Sequence, residues 1–263
     1  MPPAGNQQDE ILRLQNRLSD TQNEFNDFTY AVSHDLGAPL RAVVSFSRLL
    51  AEHYGKALDE KGMAYLQFVT EGGEKLQAML AGLVELSRVN TRAKPPQPLE
   101  TASLIGRCHD TLKEKIAASN AGIRVKCALP AVVADADQCF RLFLVLIDNA
   151  LTYRTPDITP QVQISATDTG DIWMFQIEDN GIGISPAGTE RAFQVFARLH
   201  ADEEYPGIGM GLALAKKIVE RHGGEIGIMP RKNGGTIVWF TLAKTLPETT
   251  AFLSSRDAGA AHE

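Results

Sequence analysis

Cysteine is scarce in this chain: three residues in 263, at Cys108, Cys127 and Cys139. None forms a C-x-x-C pair or a metal-ligand spacing, which leaves no disulfide framework and no zinc site to build on. Three unpatterned thiols fit a reducing compartment and burial. Long apolar runs are missing too, since no stretch approaches the roughly 20 residues that a membrane span needs. The opening Met1-Pro2-Pro3-Ala4-Gly5-Asn6 is polar and lacks the apolar core of a signal peptide. There is no long basic run, and net charge is −6, which speaks against a nucleic-acid role. The expectation is a soluble, cytoplasmic protein without a membrane span. Any sensor domain belonging to it would lie outside this sequence.

With 44% hydrophobic and 22% charged residues, the remainder is ordinary globular material, long enough for one large domain or two modest ones. Its first clear pattern is a heptad seam. Ile11, Leu14, Leu18, Thr21, Phe25, Phe28 and Val32 alternate in steps of three and four, the a/d spacing of a helix that buries a stripe against a partner helix. With Val32 at an a position, His34 falls at c and points away from the seam. Pro39 then stands inside a continuing apolar pattern, so a kink or local distortion is expected there rather than an end. A turn from Gly55 to Asp59 leads to a second helix, about 59–90, that Gly72-Gly73 should weaken in its middle. Two helices on a short loop form a hairpin with one apolar face, and two hairpins make a four-helix bundle.

Ala93-Lys94-Pro95-Pro96-Gln97-Pro98 is a proline-rich linker. Beyond it the periodicity is mixed. Helices are expected at 104–119, 137–154, 188–199 and 210–221. Strands are expected at 124–129, 132–134, 161–166, 172–178, 225–229 and 236–242. Helices over a sheet of adjacent strands imply an α+β sandwich with its helices on one face. Residues 247–263 look like a frayed tail.

Three segments of this second half carry chemistry. The apolar helix Leu142–Arg154 contains Asn149, whose amide oxygen suits a nucleotide-bound Mg²⁺. Tyr153 lies one turn on, placed to stack on a base. A satisfied buried Asn and a core Tyr are the plainer explanation of that helix taken alone. Asp179-Asn180-Gly181-Ile182-Gly183 follows a strand. Its carboxylate can accept from an adenine amino group and its glycines admit a ligand to the backbone, although Asp/Gly turns are common. Gly207-Ile208-Gly209-Met210-Gly211-Leu212 opens a helix, an arrangement of free N–H groups that suits anions. It follows the polar stretch 201–206, which reads as a mobile lid or a solvated loop, so the dinucleotide-binding βαβ reading fits poorly. A candidate nucleophile and a candidate nucleotide site in one chain point to phosphoryl transfer onto histidine.

In this order, His34-Asp35-x-x-x-Pro39-Leu40, the Asn149 helix, Asp179-x-Gly181-x-Gly183, a Phe193-x-x-Phe196 helix and Gly207-x-Gly209-x-Gly211-Leu212 closely resemble the catalytic core of two-component sensor histidine kinases. The wording around His34, Arg198-Leu199-His200 and Tyr205-Pro206-Gly207 is most similar to the phytochrome-type branch. The resemblance implies four regions: a coiled-coil signalling helix (1–28), a dimerising phosphotransfer hairpin (29–94), a GHKL-type ATP-binding sandwich (95–246) and a flexible tail (247–263). It implies that His34 accepts the phosphoryl group from ATP with Asp35 orienting its ring. Asn149 would hold Mg²⁺, and Tyr153, Asp179, Gly181 and Gly183 would take the adenine. Gly207, Gly209, Gly211 and Leu212 would border the phosphates and hinge the lid. The implied partners are a second copy of the chain and the receiver domain of a response regulator.

Three positions depart from the pattern of the family. Val145 stands where a second Asn is usual and where ATP-hydrolysing relatives carry a Glu. Thr152 replaces a phosphate-pairing Lys, with Arg154 nearby but about 200° around the helix from Thr152. Ala38 stands where a water-positioning Thr or Asn supports phosphatase action. These departures imply little hydrolysis, reduced ATP affinity and weak phosphatase activity, and they motivate the alternative of a degenerate kinase acting as a scaffold.

Overall fold

The structure is a computed structural model that describes residues 4–199, 205, 207–232 and 234–244. It divides into two compact units, residues 1–92 and 93–263. The first is a helical hairpin. Helix α1, Ala4–Tyr54, runs unbroken through Pro39. A 3₁₀ turn, Gly55–Ala57, then leads to α2, Glu60–Thr91, whose start is capped by Asp59 accepting from the Gly62 N–H. Val44, Ser47 and Gly73 are buried between the two helices. Gly73 is not the weak point the sequence suggested. A Cβ there would sit 2.5 Å from Val44 Cγ2, whereas one at Gly72 would meet nothing within 4 Å. Gly73 is what lets the helices approach each other. Leu14 and Phe28 of the seam are exposed, and Val32 is half-buried. The side chains of Ile11, Leu18 and Phe25 lie outside the described residues.

The second unit has the element order β1 (Gln97–Glu100), α3 (Thr101–Thr111), α4 (Lys113–Ser119), β2 (Gly122–Val125), β3 (Ala131–Ala134), α5 (Ala136–Thr152), β4 (Gln161–Asp168), β5 (Ile172–Glu178), α6 (Gly211–Arg221), β6 (Ile226–Pro230) and β7 (Thr236–Ala243). Five strands form one sheet in the order β2-β4-β5-β7-β6, with β2 parallel to β4 and the other pairs antiparallel. A separate ribbon pairs β1 with β3. Phe143 of α5 packs edge-on against Phe175 and Phe240 of the sheet, with ring centroids 5.5 and 5.3 Å away. All three are fully buried. This is the α+β sandwich expected, with a core that holds α5 and its Asn149 in place.

Four local expectations need correction. The linker ends in a strand, because Gln97 and Pro98 pair with Ala134 and Val133, and an edge position tolerates the proline. The helix expected at 104–119 breaks at Leu112, whose φ of −96° and ψ of 6° separate α3 from α4. The strand expected at 124–129 is 122–125, since Gly122 is where the pairing with Gln161 begins. Segment 188–199 is not a helix but two 3₁₀ turns, Pro186–Gly188 and Arg191–Phe193, and Phe196 adopts a left-handed φ of +63°. Two elements of the sequence reading, the lid stretch 201–206 (Tyr205 apart) and the tail 247–263, lie outside the described residues.

Candidate functional site

Helix α5 begins at an N-cap with three partners. Asp135 accepts from the N–H groups of Asp137 and Gln138, and its other oxygen accepts from the Lys94 N–H at 2.6 Å. The Asp135 N–H in turn donates to His222 Nε2 at 3.0 Å, while His222 Nδ1 meets the Ile218 carbonyl at 2.8 Å. Burial holds the His222 pKa below its usual 6.5. A neutral ring with its proton on Nδ1 satisfies both bonds, which ties the end of α6 to the start of α5.

Fixed in this way, α5 forms one wall of a cavity whose open volume, mouth included, is about 710 Å³. Asn149, Tyr153, Asp179, Gly183 and Leu212 all line it, so five of the residues singled out in the sequence are brought together from three segments. The sequence reading missed its apolar walls, Leu146, Ile177 and Ile184, and the hydroxyl-bearing Thr236. Ile177 and Thr236 face the cavity only once the sheet is paired, and Leu146 of α5 and Ile184 of the loop read in sequence as ordinary apolar residues. Asp179 is buried, and its Oδ1 accepts from the Gly181 N–H at 2.8 Å and the Thr236 N–H at 3.0 Å. Desolvation still raises its pKa above 3.8 despite those bonds.

The remaining glycines shape the cavity without lining it. A Cβ on Gly181 would fall 2.0 Å from the Tyr153 carbonyl oxygen, which itself accepts from the Ile182 N–H. Gly209, at φ +70°, accepts from the Phe196 N–H and would collide with the Ala197 carbonyl if substituted. Gly211 packs on α5, its notional Cβ 3.0 Å from Val145 Cγ1 and 3.5 Å from the Asn149 amide. Val145 therefore makes an apolar contact beneath α6. Gly207, at φ +150°, borders open space. Tyr205 is buried; its hydroxyl donates to the Arg154 carbonyl and its ring lies 5.4 Å from that of Tyr153. Its carbonyl accepts from Arg198.

Thr152 has a neighbour the sequence did not reveal. Lys115 of α4 donates to Thr152 Oγ1 and to Asp148 Oδ1, both at 2.5 Å. An ammonium thus stands at Thr152, delivered from another helix rather than by the Arg154 suggested by proximity in sequence. The cysteine expectation is corrected in part. Cys108 and Cys139 are buried, but Cys127 is exposed. Among the described residues no cluster of His, Cys, Asp and Glu is gathered for a metal.

In the hairpin, His34 is 75% exposed and its Nδ1 lies 3.1 Å from Asp35 Oδ1. The Tyr30 ring stacks on it at 6.5 Å. Ala38, one turn on, is exposed and offers no polar group.

A cavity built from an Asn helix, a buried Asp and two glycine loops on a five-stranded sandwich defines an ATP-binding module. Residues 134–246 match the family described as histidine kinase-, DNA gyrase B- and HSP90-like ATPase. The chain is 36% identical over 236 residues to cyanobacterial phytochrome A of Nostoc sp. (strain PCC 7120), covering 90% of this chain and 31% of that protein. It is 31% identical over 235 residues to the methanogenesis regulatory histidine kinase FilI of Methanothrix harundinacea, covering 87% and 26%. Among solved structures, full-length ShkA in complex with AMPPNP matches in fold with a TM-score of 0.62 and 22% identity, over 83% of this chain and 46% of that one. Histidine kinase ThkA in complex with response regulator TrrA matches at 0.61 and 19%, over 88% and 66%. The chain carries the catalytic core of a sensor histidine kinase, with a GHKL-type ATP-binding domain. It spans about a third of the length of the phytochromes it matches. Among the described residues no helix is long and apolar enough to cross a membrane.

Proposed function

We propose that the chain is an ATP-dependent protein-histidine kinase that phosphorylates His34 within a homodimer and passes the phosphoryl group to an aspartate of a response-regulator receiver domain. The observation that carries this reading is the His34–Asp35 pair. Asp35 Oδ1 faces Nδ1, so the carboxylate can hold the ring proton there and leave the Nε2 lone pair for phosphorus. The Nε2–P bond forms as the bond from the γ-phosphorus to the β–γ bridging oxygen breaks. ADP leaves with that electron pair, and the Nδ1 proton is stabilised by or released to Asp35. The adenine would sit in the apolar cavity with its amino group toward Asp179 and Tyr153 beside the ring. Asn149 would hold Mg²⁺, which supplies charge neutralisation for the phosphates. The glycines 207, 209 and 211 would border those phosphates, and Lys115 offers the cation that the helix lacks at Thr152. The exposed seam of α1 suits a second copy of the same helix. On the same reading, residues 1–28 transmit a signal, 29–94 dimerise and accept phosphate, and 95–246 bind ATP.

The test is incorporation of label from γ-labelled ATP. Acid-labile label in the wild type that is absent in His34→Gln is the expected result; no label under any ATP or Mg²⁺ condition overturns it. A second reading, a scaffold that binds nucleotide without transfer, is favoured by Val145, whose methyl contact with α6 replaces a polar group near Asn149. Tight nucleotide binding without label would select it.

A further inference from the structure

Beside His34, in the groove between α1 and α2, lies a second cavity that the proposed reaction has not used. Tyr30, Ser33, His34 and Arg41 line it from α1, and Glu85 and Arg88 from α2. On α1, Tyr30, Gly37 and Arg41 fall within about 60° of His34 around the helix, whereas the seam residue Val32 is about 200° away. This side of the hairpin is therefore not the one the heptad reserves for a partner helix.

Two polar atoms here are buried and have no hydrogen-bond partner among the described residues: Ser33 Oγ and Arg88 Nε. Both are donors, one from each helix, and a buried donor left unpaired costs free energy that a ligand can recover. The Arg88 guanidinium lies 5.7 Å over the Tyr30 ring, and that ring stacks on His34 at 6.5 Å. Tyr30 thus has both the Arg88 guanidinium of α2 and the His34 ring as neighbours. Arg41 completes the set. A Cβ at Gly37 would lie 3.1 Å from Arg41 Nη1, so the absence of a side chain at Gly37 lets this guanidinium fold back toward the turn that carries His34. Two guanidinium groups and a hydroxyl, against the single carboxylate of Glu85, suit a tetrahedral oxyanion.

We propose that Arg41, Arg88 and Ser33 form a cradle for the phosphoryl group carried on His34 Nε2. Arg41 and Arg88 supply charge to its oxygens and Ser33 a hydroxyl. The proposal rests on His34 carrying phosphate, yet it can be tested without ATP. Phosphoramidate phosphorylates accessible histidines directly: the Nε2–P bond forms, the P–N bond of the donor breaks and ammonia leaves. The full chain is treated with phosphoramidate, modified histidines are located by mass spectrometry, and the phosphoryl resonances are titrated by phosphorus NMR. His53, exposed and remote in sequence on the same helix, serves as the internal reference.

In the wild type the phosphoryl group on His34 should ionise at lower pH than the one on His53. That difference should shrink, by about one pH unit for two cations in partial contact with solvent, in Arg41→Met/Arg88→Met, with Arg88→Lys keeping part of it. Arg41 is exposed, so Arg41→Met alone preserves the test where the double variant unfolds. Identical titration of phospho-His34 in wild type and variants overturns the cradle, as does modification of His53 without modification of His34. Failure of labelling from ATP would instead count against the kinase reading and leave this outcome intact.

Discussion

Asp179 shows how one side chain couples solvent exclusion to recognition. Burial raises its pKa while the Gly181 and Thr236 N–H groups oppose the rise. A raised acid pKa stabilises the fold most below 3.8, and that contribution is lost as pH rises through the folded value. Nucleotide binding has the opposite demand, since only the carboxylate accepts fully from an adenine amino group. We expect nucleotide affinity to fall as pH drops through a titration lying above 3.8, and Asp179→Asn to abolish that dependence; calorimetric titration across the acid range checks it. At Thr152 the question is charge. Lys115→Met should weaken ATP binding by about tenfold, the scale of one charge-assisted contact, and weaken adenosine binding little. Equal losses for both ligands would assign Lys115 to holding α4 on α5. The thiols divide by environment: burial pushes Cys108 and Cys139 up to about 12, while Cys127 is exposed. One thiol per native chain should react rapidly with a disulfide reagent, and three after denaturation.

At the scale of elements, Gly72 and Gly73 make a paired test of helix packing. Gly72→Ala meets nothing and removes a poor helix former, so it should stabilise by about 0.5–1 kcal/mol. Gly73→Ala drives a methyl into the stiff Val44 side chain and should destabilise by about 1–3 kcal/mol. Thermal melts of the two variants should move in opposite directions. The joint between α5 and α6 depends on pH. The pKa of His222 is depressed by burial, so its contribution is fully present above 6.5 and is lost as pH falls through its lowered folded value. Acid unfolding of wild type should therefore begin at higher pH than that of a variant with a non-titrating residue at 222 after allowance for the loss of its bonds. Long elements with clean periodicity, such as 136–152 and 161–178, were legible in sequence because each buries one repeating face. Segment 188–199 was not, because Gly188 and Ala192 are buried at the i, i+4 spacing of a helix, while the chain leaves the helical path at Phe196, with its positive φ and its N–H bonded to the sequence-remote Gly209 carbonyl. The break at Leu112 likewise has no glycine or proline to announce it.

For the molecule as a whole, the seam of α1 leaves apolar side chains uncovered. Leu14 and Phe28 are exposed, a poor arrangement for a lone helix and a suitable one for a pair. Val32→Glu/Phe28→Glu should convert a dimer to a monomer in analytical ultracentrifugation while leaving nucleotide affinity within about twofold, since the nucleotide cavity is built wholly from the second compact unit. What could be read from residue order alone was the pattern that needs no partner in space: the heptad that turns His34 outward, the Asp35 beside it, and the glycine loops flanking the Asn149 helix. The three-dimensional arrangement was needed wherever a group's role depends on a chain segment far away in sequence. Lys115 reaches Thr152 across 37 residues, Gly73 earns its place from Val44, and Arg88 meets Tyr30 only because a hairpin folds α2 back on α1. Periodicity records which face of an element is buried, but not what is packed against it, and it is the packed neighbour that sets charge, pKa and the shape of a site.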